Sequence, residues 1–377
     1  MIQRELYFDH AASCPMRPEA LEALHHWSTE VGNPSGSHRA ARRARRAIDD
    51  ARDQLSELCG FEPRGVIFTS GGTEADNLAL HGLGKASRGT VVVSAVEHPA
   101  VIEPARQLGA TLVDVDATGT VNLEAVRSTI SHDCRMVSVM AVNNEIGSVQ
   151  PIATVADLCR EFDEDIVVHS DFVQGFSWLD PRTVDARVDA ISLSAHKFGG
   201  PKGVGALLVS SRCAVRPQLL GGGQEAQRRS GTPNVAGIAA MAVAAQKASN
   251  ERESEVIRVS RLRDRLIQRL LAACPSAALT LPGPPAAVSP HIVHVNFAGL
   301  SSEALLVLCD REGLCASAAA SCASGAKANS HVLMAIGVDQ SVLNGSLRLS
   351  LGYTTTESEI DQAVEVLAAC VEKLVAV

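Results

Sequence analysis

Short apolar runs recur along the first part of the chain, and polar or helical stretches separate them. Several of these runs are continuous rather than alternating, which is typical of strands buried on both faces of a sheet. Most of the intervening segments, such as residues 74–86 and 154–162, have room for a helix. Strand–helix alternation of this kind predicts an α/β fold with a mainly parallel sheet flanked by helices. The predicted strands cover residues 66–70, 90–96, 111–116, 136–142, 165–171, 189–195 and 204–210.

The pattern changes after residue 250. A charged helical stretch and a proline-rich break at 281–290 are followed by strand-like runs and a terminal amphipathic helix. This second pattern predicts a smaller α+β domain. We expect a large domain of residues 15–250 and a small domain made of residues 1–14 and 251–377.

Composition and charge narrow the class of protein. The chain has 377 residues, of which 46% are hydrophobic and 20% charged, so a large core is easily supplied. A net charge of −8 argues against direct nucleic-acid binding or a membrane-surface role.

The arginine-rich stretch at 39–52 is either a solvated helix face or a docking surface for an anionic partner. The N-terminus is too charged for a signal peptide, and the apolar run at 235–245 is too short to span a bilayer, so we expect a cytoplasmic protein.

The ten cysteines are scattered and form no CxxC pair. A chain of this length needs no disulfides for stability, so we expect reduced thiols, most of them small buried hydrophobes. Their spacing does not fit a zinc site, and no metal is predicted.

Ligands bind outside the carboxyl ends of the strands in sheets of this kind, so polar residues there are candidates for function. Gly72 and Thr73 follow the strand at 66–70. We expect Thr73 to cap the next helix, with Asp76 completing a capping box. The same turn is alternatively an anion site, because helix N-termini present unpaired amides.

Other strand ends supply an acid, a lysine, imidazoles and amides. Taken singly, each is explained equally well as an ordinary loop residue. Together they suit pyridoxal phosphate (PLP), which needs a lysine for its aldehyde, a carboxylate for its pyridinium nitrogen and an anion site for its phosphate. The candidates are His98, Asn144, Asp171, Gln174, His196 and Lys197.

Several motifs match one known family in order along nearly the whole chain. They include "FTSGGTEADN" (68–77), "VNNEIGSVQPI" (142–152), "SAHKFGGPKGVGAL" (194–207), "GGGQEAQRRSGTPN" (221–234) and "SCASGAKANSHVLMAIG" (321–337). On these motifs the chain resembles the cysteine desulfurases, PLP enzymes of the class V aminotransferase group. The resemblance implies the PLP-dependent transferase fold of type I.

The resemblance also implies roles at the cofactor. Lys197 would form the imine with PLP, Asp171 would pair with the pyridinium nitrogen, and His98 would stack on the ring. Gln174 would hydrogen-bond the phenolic oxygen. Thr232 would reach the phosphate of the other subunit's cofactor in a homodimer. The residues implied to bind the phosphate within one subunit are Gly72, Thr73, Ser194 and His196.

The implied reaction converts L-cysteine to L-alanine. Asn144 and Arg348 would hold the substrate carboxylate. Cys322 would accept the sulfur as a persulfide, with a base such as His98 assisting formation of its thiolate. The sulfur would pass to an acceptor protein for iron–sulfur cluster assembly, tRNA thiolation or another modification. Around the nucleophile, the chain reads "ASAAASCASG" where relatives usually read "SSGSACTS". Cys315 is a competing nucleophile.

Two other classes of function stay open at this point. A selenocysteine lyase or another class V PLP enzyme would not need Cys322. A non-catalytic sulfur-transfer partner would not need the lysine, aspartate and histidine set.

Overall fold

A computed structural model describes residues 5–83, 89–183, 187–281, 287–318 and 330–376. Its strands are β1 (Leu6–Tyr7), β2 (Val66–Thr69), β3 (Thr90–Ser94), β4 (Thr111–Val113), β5 (Cys134–Ser138), β6 (Val167–Asp171), β7 (Ala190–Ser194), β8 (Gly205–Val209), β9 (Ala277–Leu279), β10 (Ile292–Phe297), β11 (Leu314–Cys315) and β12 (Ser346–Ser350). Its α-helices are α1 (Pro18–Thr29), α2 (Arg39–Cys59), α3 (Gly72–Gly82), α4 (Pro99–Gln107), α5 (Leu123–Thr129), α6 (Ile152–Phe162), α7 (Val235–Ala273), α8 (Ser302–Arg311), α9 (His331–Ala335), α10 (Gln340–Leu343) and α11 (Glu357–Val375).

The large sheet has the strand order β2-β8-β7-β6-β5-β3-β4 among the described residues. The strands from β7 through β4 are parallel to one another, while β8 runs antiparallel to both β2 and β7. Every residue of β5, β6, β7 and β8 is buried, as their continuous apolar patterns predict. Helices cover both faces, so the predicted α/β class is confirmed.

The smaller unit is built on an antiparallel sheet of order β12-β10-β9, and β1 pairs in parallel with β11. The strand β9 has no counterpart in the predicted pattern. The core of this unit includes Leu6 and Phe8 as well as residues from Val259 onward. Helix α7 is continuous over 39 residues and passes through the predicted boundary at residue 250.

The alanine-rich side of α2 is buried and its arginines face outward. Part of this arginine face is used within the chain. Arg43 pairs with Glu30 at 2.7 Å, and Arg52 pairs with Glu225 at 2.9 Å. Both contacts fix a neighbouring loop to the helix.

Most of the described cysteines are buried, and none of them forms a disulfide, as the scattered spacing predicts. No helix within the described ranges is both long and apolar enough to cross a membrane.

Candidate active site

A cavity of about 470 Å³ opens at the carboxyl ends of β5, β6 and β7. The topology explains its position, because parallel strands end at the same edge of a sheet. Thr232 lies outside this cavity and is exposed in the single chain. Cys322 lies outside the described residues. The cavity lining includes the predicted residues Gly72, Thr73, His98, Asn144, Asp171, Gln174, Ser194, His196, Lys197 and Arg348.

Lys197 lies in a short 3₁₀ turn, Ala195–Lys197, directly after β7. Its Nζ donates hydrogen bonds to the carbonyl oxygens of Ala11, at 2.6 Å, and Ala12, at 2.9 Å. Both carbonyls belong to the N-terminal segment, which also contacts the turn through the Cys14 amide and the His196 carbonyl. The end of a buried strand and a distant segment therefore fix the lysine together.

Asp171 is the last residue of β6 and is 5% exposed. Burial raises the pKa of this carboxyl to about 6, while a hydrogen bond from the Val173 amide and the charge of Lys197 act in the opposite direction. The Val173 amide donates to Oδ1 at 2.9 Å. The arrangement gives the cavity a carboxylate that a nearby cation would keep ionised.

His98 is the N-cap residue of α4, and its Nδ1 accepts a hydrogen bond from the Ala100 amide at 3.1 Å. Burial lowers the pKa of this imidazole to about 4, and the charges of Lys197 and His331 add to the effect. The ring is therefore neutral at pH 7. Because Nδ1 is an acceptor, the proton of the neutral ring is on Nε2. His98 thus presents a flat neutral ring and one N–H donor, and it has no unused basic nitrogen.

The turn before α3 corrects one prediction. The N-cap residue is Gly71, no side chain caps this helix, and Thr73 is not the cap. Asp76 does not complete a capping box; it is 1% exposed and lines the cavity. Helix entry instead depends on close approach, because a Cβ on Gly72 would lie 2.8 Å from Cγ2 of Val173. Gly72 and Thr73, the first two residues of α3, line the cavity, and the anion site at this helix N-terminus stays a prediction.

Gln174 is held from two sides. Its Nε2 donates to the Ala11 carbonyl at 2.6 Å, and its Oε1 lies 3.3 Å from Nε2 of His291. His291 is itself stacked on Trp178 and bonded to Ser289. One N–H of the Gln174 amide stays available to a ligand oxygen.

Arg348 extends from β12 into the cavity. Its Nη1 donates to the Asn144 carbonyl at 2.7 Å, and its Nη2 pairs with Asp9 at 2.7 Å. The Nε atom is buried and has no hydrogen-bond partner among the described residues. Arg348 lines the cavity, and a guanidinium there is a suitable donor for a carboxylate ligand.

The sequence patterns missed three contributors to this site. Asp9 fixes Arg348, Ala11 accepts from both Lys197 and Gln174, and His291 supports Gln174. Asp9 and Ala11 lie inside the motif "YFDHAASCP", where an acid next to a histidine was a signal that could have been read. His291 gives no local signal, because its role depends on contacts distant in sequence.

The profile of the aminotransferase class-V family matches residues 6–363. The chain belongs to this family. It is 41% identical over 381 residues to an IscS-like cysteine desulfurase of Mycobacterium tuberculosis, covering 97% of this chain and 96% of the relative.

Solved structures agree with this assignment. A NifS-like protein superposes with a TM-score of 0.89 at 30% identity, covering 98% of this chain and all of the other. The structure described as SspA in complex with cysteine gives a TM-score of 0.78 at 28% identity, covering 92% of this chain and 98% of the other. The predicted family, fold, PLP dependence and enzyme class of this class-V protein are confirmed.

Proposed function

We propose that this class-V protein converts L-cysteine to L-alanine and takes the sulfur as a persulfide on Cys322. The supporting observation is that one cavity is lined by Asp171 at the end of β6, Lys197 in the turn after β7 and Arg348 from the middle of β12. These residues offer an amine, a carboxylate and a carboxylate-binding cation within one small volume.

The residues of this cavity fit PLP. Lys197 provides the amine for its aldehyde, and Asp171 provides the counter-charge for its ring nitrogen. His98 provides a flat face and Gln174 an N–H donor. When bound, PLP supplies an electron sink for the substrate carbon that loses its proton. The phosphate would be held by Gly72, Thr73, Ser194 and His196.

Lys197 is also the residue best placed to move that proton. Its amine lies in the cavity wall directly after β7, where a substrate held by Arg348 would be within the same small volume. His98 is less suited to this task, since its Nδ1 is already an acceptor for a backbone amide.

Substrate orientation would depend on Arg348. The guanidinium lines the cavity, and its contacts with the Asn144 carbonyl and Asp9 fix its plane. These two contacts hold the planar group in one orientation. This restricts how an amino-acid carboxylate can lie over the cavity floor.

Cys322 is the proposed nucleophile on two grounds. It follows Ser317 by five residues, and Ser317 lines the cavity. Five residues of chain span at most roughly 18 Å. The alternative, Cys315, is absent from the cavity lining, and burial together with nearby acids such as Glu5 raises the pKa of its thiol. A thiol of that kind is a poor nucleophile at neutral pH.

The sulfur transfer balances without an external oxidant. The Cys322 thiolate attacks the substrate sulfur, the carbon–sulfur bond of the substrate breaks, and that carbon receives a proton. The products are alanine and the enzyme persulfide.

The remaining proposals concern assembly and context. Residues 15–250 would form the large domain, and residues 1–14 with 251–377 the small one. The separate apolar core around Leu6 and Val259 supports this division. Thr232 would complete the cofactor site of a second subunit in a homodimer, and its exposure in the single chain fits that role. We place the protein in the cytoplasm, where an iron–sulfur scaffold or sulfur-relay protein would accept the sulfur.

The proposal is tested by replacing Cys322 with Ser in the holoenzyme, with Cys315→Ser as the matched control. The Cys322 variant should keep its cofactor yet lose alanine release and persulfide formation, while the control keeps both. Borohydride reduction followed by mass spectrometry should locate the cofactor on Lys197. Alanine release at the wild-type rate from the Cys322 variant would show that another group accepts the sulfur. Retained activity on selenocysteine alone would favour a selenocysteine lyase.

A further inference from the structure

A second carboxyl group shares the cavity wall with Asp171. Asp76 lies one turn inside α3 and is 1% exposed. Its side chain hydrogen-bonds Ser192, but its Oδ1 is buried with no hydrogen-bond partner among the described residues. Neither PLP nor the proposed substrate chemistry assigns this acid a role. A buried, half-satisfied acid in a ligand cavity requires an explanation.

The nearest basic group to Asp76 is His169, whose Nε2 lies 3.7 Å from Oδ1. Both ring nitrogens of His169 have serine partners: Nδ1 is 2.8 Å from Ser138 Oγ, and Nε2 is 3.0 Å from Ser192 Oγ. Burial lowers the pKa of His169 to about 3, so the ring is neutral at pH 7. His169 therefore supplies no positive charge to stabilise an ionised Asp76.

The two acids of the cavity wall differ in their hydrogen-bond donors. Asp171 accepts from the Val173 amide and is close to the charge of Lys197. Within the described ranges, the donor to Asp76 is the Ser192 hydroxyl, and Glu97, buried beyond the end of β3, adds a further acid nearby. Two neighbouring buried carboxyls do not both ionise, and the one with better donors loses its proton first. Burial and the charge of Asp171 accordingly raise the pKa of Asp76 well above its ordinary value.

We propose that Asp76 is a positioning residue that keeps its proton at neutral pH, so that Asp171 alone carries the negative charge facing the cofactor. Protonated Asp76 donates its proton toward the Ser192–His169 pair and adds no second charge beside Asp171. This role of Asp76 rests on the proposed function, because the proposed function is what pairs Asp171 with the ring nitrogen of the cofactor.

The protonation state is tested by Asp76→Asn, which keeps the size and donor capacity of a protonated acid. Wild type and variant, both full length and saturated with PLP, are unfolded in urea from pH 5 to pH 8. The native wild type retains a proton that the unfolded chain releases above about pH 4. The wild-type unfolding equilibrium constant should therefore rise about tenfold per pH unit relative to the Asn variant.

Asp53→Asn, on the exposed side of α2, is the matched control. The ratio of the wild-type to the Asp53→Asn unfolding equilibrium constant should not change with pH. Asp171→Asn should give a ratio that levels off at lower pH than that of Asp76→Asn, because Asp171 has the better donors. A pH-independent ratio for Asp76→Asn would show that Asp76 is ionised in the native protein and would overturn the proposal.

The positioning role is tested by cofactor affinity. Asp76→Ala removes the bond to Ser192 and should weaken PLP binding by roughly fivefold to tenfold, as for the loss of one buried hydrogen bond. Asp76→Asn should restore the affinity. Equal weakening by Ala and Asn would show that Asp76 acts through its negative charge and would refute the role. Failure of the wild type to bind PLP would contradict the proposed function, and with it the positioning role, whereas the urea ratios report the protonation state independently.

Discussion

Glu145, next to the cavity-lining residue Asn144, offers a quantitative test of how a buried acid beside the active site responds to pH. It follows Asn144, is 6% exposed, and accepts a hydrogen bond from Ser330 Oγ at 2.5 Å. Burial raises the pKa of this carboxyl to about 7, although Ser330 and the charge of Arg348 act to lower it. The perturbation is Glu145→Gln, which removes the charge and keeps an acceptor for Ser330.

The magnitude follows from proton linkage. A native pKa near 7 and an unfolded value of 4.5 mean that the native state holds a proton that the unfolded chain has released. The stability that this proton contributes is present below pH 4.5 and is lost as the pH rises toward 7. Between pH 5 and pH 8 the loss integrates to about 2–3 kcal/mol. Glu145→Gln should therefore gain that much stability relative to wild type over the same interval.

The assay is urea unfolding followed by circular dichroism at fixed protein and saturating PLP concentrations. Glu103→Gln, which removes an exposed carboxylate, is the control for a general charge effect. Ser330→Ala should lower stability by about 1 kcal/mol because this hydroxyl caps α9, and by more at the high-pH end, where Glu145 is ionised and loses its donor. A constant stability difference between Glu145→Gln and wild type from pH 5 to pH 8 would refute the reasoning.

Three further predictions concern the cofactor site and acid stability. Gly72→Ala should weaken PLP binding at least tenfold in equilibrium dialysis, because the new Cβ would lie 2.8 Å from Cγ2 of Val173 and shift the anion site. Unchanged PLP affinity would contradict this close approach. Thr232→Ala should weaken PLP binding roughly tenfold to a hundredfold, because one charge-assisted hydrogen bond to the phosphate is lost. The variant should stay dimeric in analytical ultracentrifugation, and a fully PLP-loaded monomer would rule out the shared site. His169 is neutral when folded, with its pKa lowered from 6.5 to about 3, so it should cost about 2 kcal/mol of stability as the pH falls from 7 to 5. His169→Gln should reduce that loss in urea unfolding, and an identical acid sensitivity in both proteins would count against the assignment.

The sequence alone was sufficient to locate the large sheet and its functional edge. Strands such as β6 and β7 are continuous apolar runs. The polar residues at or just after the ends of these runs, Asp171 and Lys197, were identified as candidates for that reason. These features are local: a run of buried residues and the polar residue that ends it are both visible in a short window. The second, smaller unit was also visible, because its composition and period differ from those of the first.

Only the tertiary structure decided how the side chains share partners. Asp9 and Arg348 are 339 residues apart and meet because β12 and the N-terminal segment end at the same cavity. Asp76 has the spacing of a capping residue, yet it faces inward because α3 begins two residues earlier than predicted, at Gly72, and packs against β7. The sequence suggests His98 as a base that assists Cys322, yet the structure shows that its Nδ1 is used to cap α4. Burial and long-range partners set the charge of each group, and the local sequence encodes neither of them.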